Sequence, residues 1–234
     1  LSLHNCVHAA HEAVDGKPLG AGSGVGRIHE KILREARFRL LIANSELMKR
    51  DGVSRVGIAP AKVAVVNPGH DPARFRAEDR ARLGASLRAG LGIRPGEAVV
   101  GLISSGDFKK RGVARFIEAL ARLPQAAKDI LRVVIVGQET RLGPYERAAK
   151  DSGLGERIRF LHPTPKVEEY YHALDLYVHP ALYEEFGQSV QEALACGLPV
   201  VTSRIDGAAE LMPAEAAGLI ENPAPTALAS EMAR

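Results

Sequence analysis

Two glutamates eight residues apart could hold the two ends of a polyhydroxylated ligand. Glu184 precedes a turn that contains Gly187, and Glu192 lies in the apolar segment that follows. A carboxylate can accept hydrogen bonds from neighbouring hydroxyl groups, which suits the vicinal diols of a sugar and of a ribose. Backbone N–H groups at a helix start between the glutamates suit a phosphate. A nucleotide sugar carries these three parts in the same order, so the spacing favours a nucleotide-sugar site.

Each glutamate also has a purely structural interpretation. Glu184 could be an acidic residue that stabilises the start of a helix through the macrodipole, and Glu185 competes with it for the ligand if the register slips by one. Glu192 could be a solvated helix position, although an acid in an apolar segment needs a partner.

Two adjacent cations, Lys110 and Arg111, predict an anion site in another part of the chain. They lie just before a helix predicted near 112–122. Positive charge opposes the dipole at a helix start, so a bound phosphate would explain both side chains. The alternative is a solvated basic turn.

Apolar runs alternate with helical patterns through the second half of the chain. Strands are predicted at 98–104, 131–136, 158–161, 175–179 and 199–203. Helices are predicted near 112–122, 145–152, 167–173, 187–196 and 208–212, with a further one from Pro225 onward. Continuous apolar strands between helices indicate a parallel sheet covered on both faces, the doubly wound plan. Ligands bind such sheets at the carboxyl ends of the strands, where the residues above lie.

The first part of the chain predicts a less regular α/β unit. Its predicted elements are a strand end at Leu1–His4, a loop over 5–26, a helix over 27–39, and strands over 40–43 and 62–66. The helix is predicted from a shared face that consists of Ile28, Ile32, Leu33 and Ala36. Asn44 or Ser45 can cap the next helix. A turn at 67–69 and a charged helix over 75–95 then lead into the second half.

Composition indicates an ordinary globular protein. The 234 residues are 46% apolar and 25% charged, as in an average soluble protein. The formal charge of +3 fits an ordinary protein surface, or it indicates a mild preference for anionic substrates or lipid headgroups. No apolar run is long enough to span a bilayer, and no signal peptide is recognisable. Cys6 and Cys196 lie far apart, so a reducing cytoplasm is expected. The strand-like start at Leu1 predicts a truncated chain.

Three segments, in order, resemble the retaining glycosyltransferases of the GT4 group, which have the GT-B fold. They are the E-x7-E motif at 184–192, the segment between domains at 63–71 and the phosphate loop at 105–113. The resemblance covers most of residues 28–222 and implies an α/β protein of the GT-B type. A doubly wound, parallel-sheet, Rossmann-like domain at 98–234 would bind the nucleotide sugar. Residues 1–75 would be the incomplete tail of a second Rossmann-like domain, which binds the acceptor, and 76–97 would connect the two.

The resemblance also implies roles for single residues. Glu184 would contact hydroxyls of the transferred sugar, and Glu192 would contact the ribose. The turn between them would meet the distal phosphate through Phe186, Gly187, Gln188 and Ser189. Main-chain atoms of Leu161 and His162 would bind the base, and His4 would lie near the reacting carbon.

The phosphate loop departs from the family pattern. That pattern has an Arg early in the loop and a Lys before the glycine, whereas Gly106 and Arg111 occupy these positions here. Lys110 or Lys109 is expected to replace the missing cation. The variant resembles the loop of lipopolysaccharide-core glucosyltransferases, which favours a cell-envelope glycan as the acceptor.

The implied reaction is transfer of a sugar, with retention, from a UDP-, GDP- or ADP-sugar to a glycan or lipid-linked acceptor. Lys110, Arg111 and the helix start would stabilise the leaving diphosphate without a metal or other cofactor. The expected location is the cytoplasm or the inner face of the cell membrane, with peripheral contact at most and no nucleic-acid partner. The alternatives are a nucleotide-sugar-binding fragment without transfer activity, and a nucleotide-sugar epimerase or hydrolase of the same fold.

For two further patterns, an interpretation without a functional site is favoured over the functional one. The glycines over 20–26 do not form G-x-G-x-x-G, so they predict a flexible loop and argue against a Rossmann oxidoreductase. His4, His8 and His11 are close in sequence, but no carboxylate or cysteine cluster beyond Glu12 and Cys6 supports a metal site there.

Overall fold

Two parallel sheets organise the protein, for which the computed structural model describes residues 1–20, 22–35 and 37–234. Ala21 in the predicted glycine-rich loop and Ala36 on the predicted helix face lie outside the described residues. The α/β class with parallel sheets confirms the fold predicted from the sequence.

The smaller sheet has three short parallel strands in the order β1-β2-β3. The strands are β1 Ser2–Leu3, β2 Leu41–Ala43 and β3 Val63–Val65. The helices beside it are α1 Val7–Asp15, α2 Gly24–Glu35 and α3 Glu46–Val56, and a 3₁₀ turn covers Pro60–Lys62. Ser45 caps α3, because its hydroxyl accepts a hydrogen bond from the Met48 N–H at 3.1 Å.

The predicted loop over 5–26 is wrong in two places. Residues Val7–Asp15 form α1, which buries Ala9 and ends at Gly16 in the left-handed conformation with φ 68°. The glycines that favoured a loop lie after this helix, so they do not interrupt it. Gly24 to Gly26, predicted as loop, form the first turn of α2.

The helix predicted over 27–39 exists, but it is shorter and faces a different way. It ends at Glu35, and it buries Gly26 and Leu33 toward the small core. Ile28 and Ile32, which are predicted to share the apolar face with Leu33, are 62% and 50% exposed. The periodicity therefore identifies the helix correctly and its packed side only in part.

The larger sheet has six parallel strands in the order β6-β5-β4-β7-β8-β9. The strands are β4 Ala98–Ile103, β5 Leu131–Val136, β6 Ile158–Leu161, β7 Leu176–His179, β8 Val200–Ser203 and β9 Leu219–Ile220. The first five confirm the predicted strands to within one residue at either end, and β9 is not predicted because two residues carry no periodic signal.

Helices cover the larger sheet on both faces. A 3₁₀ turn at Ala77–Asp79 and α4 Arg80–Gly90 precede it; α5 Val113–Ala121, α6 Gln125–Ile130, α7 Gly143–Asp151, α8 Val167–Ala173, α9 Gln188–Ala195 and α10 Pro225–Met232 follow. A 3₁₀ helix at Gly207–Leu211 stands where a helix is predicted near 208–212, and α6 is not predicted. One face packs Leu102, Phe116 and Ile135, and the other packs Val99 and Tyr177.

Candidate functional site

A cavity of about 340 Å³ lies where the carboxyl ends of β4 and β7 meet the start of α9. Its lining residues are Ile103, Ser104, Ser105, Arg111, Val167, Tyr171, Glu184, Gly187, Gln188, Ser189 and Glu192. Six residues predicted from the sequence are therefore brought to one place: Arg111, Glu184, Gly187, Gln188, Ser189 and Glu192. This is the edge of a doubly wound sheet at which ligands bind.

Gly187 gives α9 its entry angle. Its φ is 76°, and a Cβ there would lie 2.2 Å from Oδ1 of Asp206, so both the backbone conformation and the close approach require glycine. The helix begins at Gln188, next to the cavity. The first N–H groups of a helix lack acceptors within it, so the N–H groups of Gln188 and Ser189 are available to an anion.

Arg111 and Glu184 form an ion pair in the lining of the cavity. Among the described lining residues, Arg111 is the cation, and its side chain is 18% exposed. Gly112 holds the Arg111 loop against the end of β7: its φ is 70°, and a Cβ there would lie 2.0 Å from the carbonyl oxygen of Pro180. The phosphate-loop cation and the first glutamate of the motif are thus held side by side.

Lys110, by contrast, points to Glu185. Its Nζ lies 3.0 and 2.8 Å from the two carboxylate oxygens, and both side chains are largely buried. The same contact distinguishes the two adjacent glutamates, since Glu184 lines the cavity and Glu185 is engaged outside it. Arg111 is therefore the cation that faces the cavity, and Lys110 joins the loop after β4 to the loop that carries Glu185.

Glu192 also lines the cavity, from within α9. Burial raises the pKa of its carboxyl group. Tyr171 on α8 donates a hydrogen bond from its hydroxyl to Oε2 of Glu192 at 2.8 Å. The second carboxylate thus has the partner that an acid in an apolar segment needs.

His179 and Asp206 form the buried floor behind Glu184. Nε2 of His179 lies 3.5 Å from Oδ2 of Asp206 and 3.7 Å from Oε2 of Glu184. Burial lowers the pKa of His179 to about 3 and raises the pKa of Asp206 to about 7. Asp206 also accepts hydrogen bonds from the Ala208 N–H at 2.9 Å and the Thr202 hydroxyl at 3.2 Å. These bonds fix the carboxylate that packs against Gly187.

The first part of the chain reaches the site through side-chain hydrogen bonds. The Ser45 hydroxyl donates to the carbonyl oxygen of Glu185 at 2.6 Å, and Tyr183 donates to the carboxylate of Asp51. On α9, Nε2 of Gln191 donates to the carbonyl oxygen of Pro68 at 2.8 Å. The motif loop is therefore held from both sheets.

Known proteins identify the family to which this arrangement belongs. Residues 86–234 match the family model described as "Glycosyl transferases group 1". The chain belongs to this family. The match contains every residue of the cavity described above, together with the six-stranded sheet that carries them.

Relatives of this glycosyltransferase family member differ in the activity that their names give. A D-inositol 3-phosphate glycosyltransferase of Nocardia farcinica is 32% identical over 92% of this chain and 49% of its own length. Anabaena Alr3699/HepE, solved in complex with UDP and glucose, is 26% identical, with a TM-score of 0.75 over 87% of this chain and 57% of its own. The chain spans about half the length of the curated relatives it matches.

A third similarity concerns the fold. WaaG, a glycosyltransferase involved in lipopolysaccharide biosynthesis, has a TM-score of 0.83 over 99% of this chain and 64% of its own, at 24% identity. The likeness confirms that both sheets of this chain are arranged as in a known glycosyltransferase.

Several predicted site residues lie outside the cavity. His4 is exposed after β1, where its Nε2 lies 2.8 Å from the Ser2 hydroxyl. Leu161 ends β6, its carbonyl accepts the Gly137 N–H at 3.0 Å, and His162 after it is exposed. Gly106 has φ 144° and packs against Gln138, while Phe186 is buried in the core beneath the loop. Their proposed roles in binding remain predictions.

Four cavity residues besides Tyr171 were not predicted from the sequence: Ile103, Ser104, Ser105 and Val167. Ser104 ends a predicted strand and Ser105 begins the predicted phosphate loop, so their position at the carboxyl end of the strand was a signal that could have found them. Tyr171 lies on a helix from a different βα unit, and its contact with Glu192 depends on tertiary packing.

The described residues hold neither a metal-binding cluster nor a membrane-spanning helix. Within 1–20, 22–35 and 37–234, no three His, Cys, Asp or Glu side chains are arranged to hold a metal ion. In the same ranges, no helix has the length and apolar character needed to cross a membrane.

A larger groove of about 790 Å³ borders α7 and the amino ends of β5 and β6. Charged side chains of both signs line it, among them Arg132, Glu146 and Lys150. It lies at the opposite end of the strands from the glutamate motif, so volume alone does not mark the functional site.

Proposed function

We propose that the protein is a retaining glycosyltransferase that transfers a sugar from a nucleoside diphosphate sugar to a cell-envelope glycan or similar acceptor. The observation that carries the proposal is that one cavity brings together Glu184, Arg111, the start of α9 and Glu192. These groups suit a sugar, a diphosphate and a ribose. In this proposal, 98–234 form the donor domain, 1–75 belong to the acceptor domain, and 76–97 connect them.

The chemistry follows from fixed charges and dipoles. Arg111 and the N–H groups of Gln188 and Ser189 would stabilise the negative charge that builds up on the leaving diphosphate. Glu184 would orient the sugar through its hydroxyls, after exchanging its ion pair with Arg111 for them. The leaving phosphate would take the proton of the acceptor hydroxyl on the same face, which gives retention. This mechanism rests on the family resemblance, and we propose that it needs no metal.

UDP-glucose is the first donor to test, because the HepE structure holds UDP and glucose. The candidate acceptors are D-inositol 3-phosphate, from the name of the Nocardia relative, and a saccharide of the cell envelope. The location we expect is cytoplasmic, with at most peripheral contact with the membrane. A fragment that binds donor without transfer is the second candidate, because the chain spans about half of its relatives' length.

The test is release of nucleoside diphosphate from UDP-, GDP- and ADP-sugars, with and without each acceptor and with a chelator present. Activity that survives the chelator, is lost in Glu184→Gln and gives a product with the donor's anomeric configuration by NMR would support the proposal. Donor binding without release would favour the binding fragment. Absence of binding to every nucleotide sugar by the folded protein would overturn both.

A further inference from the structure

Tyr171 is the buried neighbour of Glu192 that the proposed mechanism does not use. Its side chain is fully buried and lines the cavity, and its hydroxyl donates to Oε2 of Glu192 at 2.8 Å. The tyrosine comes from α8 and the glutamate from α9, so the contact ties two helices that flank the cavity.

The Tyr171 ring has little freedom to move. It packs edge-on against Phe75 with centroids 5.8 Å apart, and it is tilted against Tyr177 with centroids 5.7 Å apart. Tyr177 is itself fixed, since its hydroxyl donates to the carbonyl oxygen of Ile103 at 3.0 Å. The hydroxyl of Tyr171 is therefore presented to Glu192 from one direction.

A carboxylate held in this way has one oxygen engaged and one to offer. Without the bond from Tyr171, the Glu192 side chain could rotate among several conformers, and a ligand would have to select one of them. Burial raises the pKa of the Tyr171 hydroxyl well above its ordinary value, so it stays a donor at every working pH. Within the described residues, no hydrogen bond engages Oε1 of Glu192, so this oxygen remains for a hydroxyl group of a ligand.

We propose that Tyr171 is a positioning residue that makes the Glu192 end of the cavity selective for a ribose over a deoxyribose. The inference rests on the proposed function, in which Glu192 meets the ribose of the donor. Tyr171 sets the orientation of Glu192, and the carboxylate fixed in this way distinguishes a ribose from a deoxyribose. A group fixed in place discriminates more strongly than a mobile one, because its hydrogen bond needs no ordering on binding.

The experiment compares UDP with 2′-deoxy-UDP, and likewise GDP and ADP with their 2′-deoxy forms, by calorimetric titration of the whole chain. For the nucleotide that binds, the wild type should prefer the ribose form by about 10- to 50-fold, the size expected for one hydrogen bond to a charged group. In Tyr171→Phe the ribose form should bind about 5- to 10-fold more weakly, while the deoxy form changes less than about twofold.

Tyr170→Phe is the matched control, since it removes a hydroxyl from the same helix at a residue outside the cavity lining. It should leave both affinities unchanged. Glu192→Gln should lower the preference for ribose with Tyr171 in place, and adding Tyr171→Phe to it should cost nothing more. Phenylalanine keeps the ring packing, and the ratio of the two affinities does not depend on the fraction of folded molecules.

The outcomes separate the inference from the proposed function. Equal weakening of ribose and deoxyribose forms in Tyr171→Phe would show that the tyrosine acts on the fold generally and would overturn the inference, with the proposed function intact. An unchanged preference in Tyr171→Phe would overturn it as well. Failure of the wild type to bind any of these nucleotides would remove the proposed function and this inference together.

Discussion

The two sheets of this protein bury their apolar residues to different degrees. In the larger sheet, β5 and β8 are buried almost from end to end, and helices cover both faces. In the smaller sheet, the middle strand β2 leaves Ile42 36% exposed, and α2 carries Val25, Ile28 and Ile32 on an exposed side. The candidate site lies on the better-packed sheet, where side chains can be held in fixed positions.

Contacts with the smaller sheet nevertheless reach the site. Ser45 holds the backbone of Glu185, and Pro68 accepts a hydrogen bond from Gln191 on α9. The larger sheet therefore builds the cavity, while the smaller one restrains the loop that carries Glu184. Matched substitutions should therefore have large effects in the larger sheet and smaller effects in the smaller sheet.

The largest contrast is expected between two glycines with nearly the same backbone conformation. Gly112 has φ 70° and lies against Pro180, whereas Gly16 has φ 68° and a Cβ added there would meet no atom within 4 Å. Gly112→Ala combines strain with a clash and should cost about 3 kcal/mol or more of the free energy of unfolding. Gly16→Ala carries only the strain and should cost about 1 kcal/mol. Denaturant titrations of both variants check this, and equal losses would contradict it.

The second contrast is between core positions of the two sheets. Leu102 on β4 is completely buried, while Ile42 on β2 is partly exposed. Leu102→Ala should lower the free energy of unfolding by about 3 kcal/mol, and Ile42→Ala by about 1 kcal/mol. The denaturation midpoints of the two variants give the comparison. A loss at Ile42 as large as at Leu102 would show that the smaller sheet is as tightly packed as the larger.

The third contrast concerns binding. Arg111 lines the cavity, Lys110 is paired with Glu185, and His4 follows β1 of the smaller sheet. Arg111→Ala should weaken nucleoside diphosphate binding about 10- to 100-fold through loss of a charge-assisted contact. Lys110→Ala should weaken it less and lower the melting temperature, and His4→Ala should leave it unchanged. Calorimetry measures all three, and a larger loss of affinity in Lys110→Ala than in Arg111→Ala would contradict the assignment.

The smallest effect is a dependence on pH at the base of the larger sheet. Hydrogen bonds from Arg132 and then Arg94 lower the pKa of Glu97 from 4.5 to about 2. A lowered pKa means that the carboxylate stabilises the fold above pH 4.5 and that this contribution is lost as the pH falls toward 2. The difference in stability between the protein and Glu97→Gln should therefore shrink over that range. Parallel stability curves for the two proteins would contradict it.

The same contrast explains what the sequence could predict. In the larger sheet, continuous apolar strands such as 131–136 and 158–161 are bounded by clear signals, and they are predicted at their observed limits. In the smaller sheet, the sequence predicts a loop where α1 forms and identifies the buried side of α2 only in part, because short elements with partly exposed apolar residues give weak periodic signals. Periodicity reports amphipathic character, and tertiary packing decides which side is covered.

The candidate site also has a part that the sequence could predict and a part that it could not. Glu184, Gly187 and Glu192 follow from a local spacing around one helix start, and the structure brings them into one cavity. The partner of each charged group could not be predicted, since Lys110 with Glu185 and Tyr171 with Glu192 are pairs joined across separate βα units. Local sequence determines the chemistry of a group, and its orientation depends on residues far along the chain.

The most direct test of the central claim is calorimetric titration of UDP and UDP-glucose against the protein and its Glu184→Gln and Glu192→Gln variants. If the two glutamates hold opposite ends of the donor, Glu192→Gln should weaken both ligands by a similar factor of about 10, the size expected for a hydrogen bond to a charged group. Glu184→Gln should then weaken UDP-glucose alone. Equal weakening of both ligands by Glu184→Gln, or no effect of Glu192→Gln on UDP, would contradict the account.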